Sequence, residues 1–292
     1  MGLMATDRYE AAVRDSLLAA LGQAARQADA AKVPARTGAY SRPGPPLTAS
    51  RLGEPLDPDL VVLKLASRTG APIALLWNYA IHGTMLGPRN LKYSGDVMGL
   101  ASRELERRLG VPALFVNGAV ADVSPRRHGH AAALTGAASL AEAVEGAWRR
   151  AAPAPAGALA VRTARLELPP PYVSLRNCTG RWVPRALTLS LAGTLPREAE
   201  LVAGAVGGAA WVTVPGELQT RLAGAVKAAA RAAGALGFVA GVSNDYLGYF
   251  LAAEDYARVT YVACASLYGP EAGALVARAA SDLLGALLEA QR

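Results

Sequence analysis

The sequence has few of the residues that most often build metal centres and covalent catalytic sites: it contains three histidines and two cysteines among 292 residues. Cys178 and Cys264 are far apart in sequence, and such a pair neither indicates a cysteine metal site nor requires a disulfide. Because free cysteine packs as a small apolar residue, we expect both thiols to be buried and reduced.

Long uncharged apolar runs are also missing. The most apolar helical stretch, AVKAAARAAGAL, contains Lys227 and Arg231, whereas a membrane-spanning helix needs about 20 predominantly apolar residues. Near the start of the chain, acidic Asp7 and Glu10 stand where a secretory signal would have basic residues and then an apolar segment. These absences predict a soluble chain that is cytoplasmic as it stands.

Aromatic residues are scarce as well, at 6% of a basic chain with 30 Lys and Arg, 23 Asp and Glu and a formal net charge of +7. The arginines of the predicted helices, such as Arg103 and Arg149, lack the interleaved aromatic side chains of a nucleic-acid groove. We therefore predict a solvated basic surface and no nucleic-acid partner, while weak association with an anionic membrane surface stays open. No pattern in the sequence indicates an oligomeric state.

Apolar residues are abundant, at 52% of the chain, and their spacing alternates between strand and helix patterns. LVVLKLAS and PIALLWNYA predict a hairpin around residues 68–71, and a helix ending at Gly110 leads into the strand PALFVNG. Further helices are predicted over residues 9–31, 131–151 and 271–288 and from near Glu217. The fold class we predict is α/β (mixed α+β), a mixed β-sheet core flanked by helices.

Two proline-rich stretches divide the chain. PARTGAYSRPGPPLTASRLGEPLDPD follows the first helix; its prolines predict no regular structure, and its length indicates a segment draped over a site. PPPYVSLRN separates the first half from a second half that begins with the strand-like ALTLSLAG. We interpret residues 1–292 as one domain with two lobes and a lobe boundary near residues 169–186.

Two apolar runs close in sequence end in reactive side chains, His82 after IALLWNYA and then Asp122 and Ser124 after PALFVNGAVA. Strand ends of α/β proteins meet at one edge of the sheet, so we expect one shared site. A lone histidine is more often structural than a ligand, although the small Gly83 leaves the ring of His82 accessible. Asp96, in YSGD, is expected to cap its helix and can in addition orient His82.

Ser124 lies in AVADVSPRRHG, which is not the GxSxG nucleophile elbow, so an α/β-hydrolase triad is unsupported. Its structural interpretation is a Ser-Pro turn. His128 and His130 follow too closely in sequence to act as its base and indicate a solvated loop.

The second half repeats the pattern of a strand that ends in polar residues. Glu217, in VPGE, either complements a helix dipole or is a metal ligand presented at a strand end. Tyrosines crowd SNDYLGY and the segment that follows it, up to Tyr261. They either pack at a core edge or bind a metal or an oxyanion.

Taken in order, WNYAIHGT, YSGD, DVSP, VPGE and SNDYLGYFLAAEDYARVTYVACASLYGP resemble the neutral (non-lysosomal) ceramidase family, from about Arg36 onward. The resemblance implies a zinc-dependent amidohydrolase that cleaves the N-acyl bond of ceramide or a related lipid amide to a fatty acid and a sphingoid-type amine. Members of that family are often secreted or associated with membranes. The zinc ligands that the resemblance implies are His82, Glu217 and Tyr249.

The same resemblance implies that Tyr261 stabilises the tetrahedral oxyanion, that Ser124 is the serine of the amidase signature, and that Arg36 lies near the substrate carbonyl. Two mechanisms stay open. In one, Ser124 is the covalent nucleophile; in the other, zinc-bound water attacks and Ser124 positions the substrate.

The chain departs from the family pattern in two places. The family signature NxGDVSPN has alanine here at Ala119 and Ala121 and arginine at Arg126. A THTHSGP-like motif, which carries the first zinc histidine of the family, has no counterpart, so we expect the chain to be truncated at its N-terminus and to lack the C-terminal immunoglobulin-like domain. His128 or His130 could substitute for the missing ligand; the competing hypotheses are an inactive or lipid-binding relative and a metal-free serine esterase.

Overall fold

A computed structural model describes residues 10–155 and 158–291 of the chain. The residues up to Ala35 and those from Arg36 onward form two compact units. The first contains helix α1 (Ala11–Ala30), which confirms the predicted helix apart from Tyr9, which lies outside the described residues. None of the α1 side chains is buried.

The first half of the remaining chain forms a five-stranded sheet of order β5-β4-β3-β1-β7. The strands and the two helices between them are β1 (Ala35–Pro43), β3 (Asp59–Ser67), β4 (Pro72–Tyr79), β5 (Ala113–Asn117), β7 (Ala154–Pro155), α2 (Asp96–Leu109) and α3 (His130–Arg150). β3 and β4 form the predicted antiparallel hairpin, and β5 adds to β4 in parallel. The apolar faces of the sheet and of both helices share one core, which includes Leu60, Trp77, Leu105 and Leu140.

The second half forms a four-stranded sheet of order β14-β12-β11-β8, in which β12 and β14 are parallel. Its strands are β8 (Ala160–Glu167), β11 (Glu198–Val206), β12 (Ala209–Thr213) and β14 (Leu236–Ala240), and its helices are α5 (Thr220–Ala232) and α8 (Ala272–Glu289). A second apolar core lies between these helices and the sheet and includes Leu201, Val212, Val226 and Leu284. The mixed α+β class is therefore confirmed.

Short strands and helices complete the fold. Three two-stranded ribbons pair β2 (Thr48–Ser50) with β6 (Val123–Pro125), β9 (Tyr172–Ser174) with β10 (Thr188–Ser190), and β13 (Glu217–Leu218) with β15 (Tyr249–Phe250). The short helices are α4 (Leu175–Thr179), α6 (Ala253–Tyr256) and α7 (Tyr261–Cys264). Among the described residues, no helix is both long and apolar enough to cross a membrane.

The two sheets are joined through β5 and β14. The buried amide of Asn78 donates to the carbonyl oxygens of Val116 in the first sheet and Val239 in the second, both at 3.0 Å. The backbone N–H of Gly241 donates to Asn117 at 3.0 Å, and a Cβ at Gly241 would lie 2.3 Å from the Gly118 carbonyl oxygen. Only glycine allows this approach, which brings the carboxyl ends of β4, β5, β12 and β14 to one edge.

Two expectations from the sequence are wrong. The proline-rich connector is not irregular, since it contains β1 and β2; Pro43 is the last residue of β1, and Pro45 and Pro46 lie between the strands, where proline removes no ladder bond. The cysteines are not reduced and buried: Cys178 is exposed, and it forms a disulfide with Cys264, because α4 packs on α7 and brings the two Cα atoms to 4.7 Å.

Candidate functional site

His82 and Glu217 lie in contact where the two sheets meet. His82 follows β4, and Glu217 is the first residue of β13 after the turn that follows β12. Nε2 of His82 is 3.2 Å from Oε2 of Glu217, and the two side chains are 15% and 7% exposed. The structure therefore brings together two of the predicted ligands that are 135 residues apart in sequence.

The backbone next to Glu217 explains its position. Gly216 adopts φ +158°, and a Cβ there would lie 2.5 Å from the carbonyl oxygen of Gly248. This close approach lets β13 pair in parallel with β15, which places Glu217 directly opposite Tyr249. Strand register therefore places the third predicted ligand, Tyr249, next to Glu217.

The two carboxylate oxygens of Glu217 have different surroundings. Oε1 accepts a hydrogen bond of 2.9 Å from the hydroxyl of Tyr246. Oε2 is buried and accepts none among the described residues, although Nε2 of His82 lies 3.2 Å away; the same nitrogen lies 3.0 Å from the carbonyl oxygen of Val120. A buried polar atom without a partner costs about 1–3 kcal/mol, so an acceptor left in this state indicates a site built for another group.

Three tyrosines surround this pair. Tyr246 and Tyr261 both interact with the hydroxyl of Tyr249, and the rings of Tyr249 and Tyr261 meet edge to face with centroids 5.9 Å apart. Burial, reinforced by the negative charge of Glu217, raises the pKa of Tyr246 and of Tyr249 well above the usual range. In the absence of a cation both phenols are therefore protonated donors.

The outer side of the site is solvent-exposed. Tyr261 begins α7 and is 67% exposed. The guanidinium carbon of Arg51 lies 5.7 Å from the centroid of its ring, and the backbone N–H of Arg51 donates to Asp122 at 2.7 Å. At its other end α7 is crosslinked by the disulfide between Cys264 and Cys178.

Asp122 and Ser124 belong to the same region but have different surroundings. Asp122 is fully buried, and its Oδ1 accepts hydrogen bonds from the backbone N–H and the hydroxyl of Thr220 at 2.9 and 2.8 Å. Burial raises the pKa of its carboxyl, an effect that those hydrogen bonds partly offset. Ser124 is half-buried in β6 opposite Ala49, and no described histidine or carboxylate forms a hydrogen bond with its hydroxyl.

The structure places Arg36 and Asp96 away from this group. Arg36 is near the start of β1, whereas Gly44, just past the other end of β1, lies against Tyr79 at the site end of β4. The nine residues of β1 span about 26 Å at 3.3 Å per residue, so Arg36 lies at the far end of the sheet. Asp96 accepts hydrogen bonds from the backbone of Met85, Leu86 and Val97, and none from His82.

The donor atoms fit a divalent cation that takes nitrogen and oxygen ligands. They comprise an imidazole nitrogen, a carboxylate oxygen without a hydrogen-bond donor, and a buried phenol; three protein ligands with one open position is the usual set for catalytic zinc. No three described residues of the His, Cys, Asp and Glu types form a metal-binding group. His128 and His130 are exposed, and neither contacts the pair.

Sequence reasoning missed two residues of the site. The sequence gives Tyr246 no role of its own within the tyrosine cluster. The signal that identifies it is its position three residues before Tyr249 in SNDYLGY. Arg51 lies in the connector that was expected to be irregular. Only the β2–β6 pairing, which sequence periodicity does not show, brings it to Tyr261.

Comparisons with known proteins identify similar folds. No protein-family profile and no curated protein matches the sequence. The structure of neutral ceramidase from Pseudomonas aeruginosa matches with a TM-score of 0.75 and 19% identity over 92% of this chain and 54% of that one. A ceramidase complexed with C2 matches with a TM-score of 0.75 and 19% identity over 91% of this chain and 55% of the other. The chain thus has a ceramidase-like fold and spans about half the length of these proteins.

Proposed function

We propose that the chain is a zinc-dependent amidohydrolase that cleaves the N-acyl bond of a ceramide-like lipid amide, releasing a fatty acid and a sphingoid-type amine. The observation that supports this most is the buried Glu217 Oε2, which has no hydrogen-bond donor and faces His82, within a ceramidase-like fold. The ligands would be His82, Glu217 and Tyr249. Bound Zn2+ would polarise the amide carbonyl and activate water.

The residues around these ligands each have a role in this proposal. Tyr246 holds Oε1 of Glu217 with its hydroxyl, which leaves Oε2 as the free oxygen. Tyr261 presents an exposed hydroxyl next to Tyr249 and would donate to the carbonyl oxygen as negative charge develops on it. Arg51 would add positive charge on the same side.

We assign Ser124 to substrate positioning rather than to covalent attack. Its hydroxyl is half-buried beside the site, but a serine nucleophile needs an adjacent general base. No described residue forms that hydrogen bond. The metal-free serine esterase is therefore the weaker interpretation, and Ser124→Ala should retain measurable turnover.

A second candidate function is a lipid-binding relative without activity. It is favoured by the shortage of strong ligands, since one histidine and one carboxylate form the only His, Cys, Asp or Glu contact described at the site. In that case a lipid amide would bind without being hydrolysed.

Hydrolysis of a short-chain ceramide, with zinc added and then removed by a chelator, separates the two functions. We expect zinc-dependent release of fatty acid that Glu217→Gln abolishes. Glu200→Gln, an exposed glutamate of β11, is the matched control and should leave the rate unchanged. Ceramide binding without release of fatty acid would favour the lipid-binding function, and turnover that survives chelation would contradict the role of zinc.

A further inference from the structure

A second cleft lies outside the site around His82 and Glu217. Its volume is about 620 Å3, and none of the proposed zinc ligands lines it. One wall is formed by Pro46 and Leu47, which precede β2, and the other by residues 126–136, which lead into α3. This volume is in the range of cavities that bind small organic molecules.

The floor of this cleft is apolar. Leu47, Ala131 and Ala132 line it with exposed or half-buried side chains, and Met85, which is buried, and Gly136 also border it. Together these residues offer a hydrophobic surface suited to an alkyl chain.

The polar side chains described at the cleft belong to Arg126, Arg127, His128 and Thr135. Arg126, Arg127 and His128 line it, no acidic residue does, and none of the three forms an ion pair among the described residues. Arg126 donates through Nε to the Thr48 carbonyl oxygen at 2.6 Å, so its terminal nitrogens are left for a ligand. Guanidinium groups in this arrangement suit a carboxylate or a phosphate.

We propose that this cleft binds a free single-chain amphiphile with an anionic head, a long-chain carboxylate, with the chain against Leu47, Ala131 and Ala132 and the head between Arg126 and Arg127. A nucleotide is disfavoured because no tyrosine, phenylalanine or tryptophan among the described residues lines the cleft for a base to stack on. An inorganic anion would leave the apolar floor unused. The site is separate from the proposed zinc site, and the inference does not rest on amide hydrolysis.

Calorimetric titration of the full chain with decanoate below its micelle concentration tests the proposal, with 1-decanol, acetate and vesicles containing phosphatidylglycerol as comparison ligands. We expect saturable decanoate binding that is at least about tenfold tighter than binding of 1-decanol or acetate and that weakens as salt is added. Equal binding of 1-decanol, binding of acetate alone, or binding of vesicles without binding of decanoate would overturn the proposal.

Two variants locate the site, and one serves as control. Ala132→Phe fills the cleft and Arg127→Gln removes one rim charge; we expect decanoate affinity to fall about tenfold or more and about threefold, respectively. Arg103→Gln, an exposed arginine of α2, should leave it unchanged. Circular dichroism establishes that each variant is folded. Unchanged affinity in both cleft variants would show that decanoate binds elsewhere.

Discussion

The buried and exposed halves of the candidate site are held in place in different ways. The buried half comprises His82, Glu217 and Tyr249 together with Tyr246, whose side chain is 48% exposed but whose hydroxyl binds the buried Glu217. It is fixed by the paired ends of strands and by contacts among its members. The exposed half, Arg51 and Tyr261, depends on a two-stranded ribbon and on α7, a helix of four residues held by a disulfide.

This difference indicates that zinc affinity and turnover should respond to different substitutions. A metal needs ligands held rigidly, and the paired strands β13 and β15 hold Glu217 and Tyr249, with Val262 and Ala263 of α7 packed in the same apolar cluster as Tyr249. Stabilisation of an oxyanion needs a donor that substrate can reach, and an exposed tyrosine on a short helix meets that need. The buried half should therefore dominate zinc affinity, and the exposed half should affect turnover more than zinc affinity.

The largest effect that would separate the halves is expected for Tyr261→Phe. Loss of one oxyanion donor typically lowers kcat by about 100- to 1,000-fold. We expect a fall of that size with a much smaller change in zinc affinity, measured by steady-state kinetics and by zinc titration of the same preparation. A Tyr261→Phe enzyme with unchanged kcat, or one that no longer binds zinc, would contradict the division.

A second prediction concerns Tyr246, whose hydroxyl donates to Glu217. Removing a group that orients a metal ligand typically lowers metal affinity about 10- to 100-fold. Tyr246→Phe should therefore weaken zinc binding by that factor, as measured by competition with a chelator. Tyr93→Phe, at an exposed tyrosine outside the site, is the control and should bind zinc like the unmodified chain. Equal affinity in both variants would remove Tyr246 from the buried half.

The disulfide gives a third way to separate the halves. Replacing both Cys178 and Cys264 with serine should reduce kcat several-fold, because α7 then holds Tyr261 less firmly. The loss of a crosslink that spans 86 residues should also lower the free energy of unfolding by about 2–5 kcal/mol. Zinc affinity should change less than kcat, since β13 and β15 hold Glu217 and Tyr249 without the disulfide. If the double variant loses zinc while it remains folded at the assay temperature, the disulfide supports the buried half as well.

The smallest effect, on the pH dependence of stability, is expected for the buried Asp122. Because burial raises the pKa of its carboxyl in the folded state, this group stabilises the fold below its unfolded pKa and loses that contribution as pH rises through its folded pKa. Asp122→Asn should abolish this decline, so the difference in unfolding free energy between the two chains should change with pH from acidic to neutral. Asp282→Asn, at an exposed position of α8, should show no such difference.

The strand ends and the ligands on them were within reach of sequence reasoning, since His82 and Glu217 each follow an apolar run with strand periodicity. Contacts on the exposed side of the site could not be predicted from the sequence. Arg51 reaches Tyr261 through pairing of β2 with β6, and Cys178 reaches Cys264 through packing of two short helices. Both contacts depend on tertiary structure between distant segments, which a local pattern does not encode. The proline content of the connector likewise predicts no strands, because it does not show that Pro43, Pro45 and Pro46 lie at or between strand ends.

Arg36 illustrates the limit of transferring a role by motif. The resemblance implies a place near the substrate carbonyl, yet β1 carries Arg36 to the far end of the sheet, and Arg51 is the arginine that contacts Tyr261. Substitution of each arginine by glutamine would show which of them affects turnover.

The measurement that tests the central claim most directly is the zinc content of the purified chain after equilibration with zinc and removal of the excess, determined by mass spectrometry. The account predicts about one zinc per chain, and much less than one in His82→Gln and in Glu217→Gln, with Glu200→Gln unchanged. Zinc absent from the unmodified chain, or retained in full by both ligand variants, would contradict it.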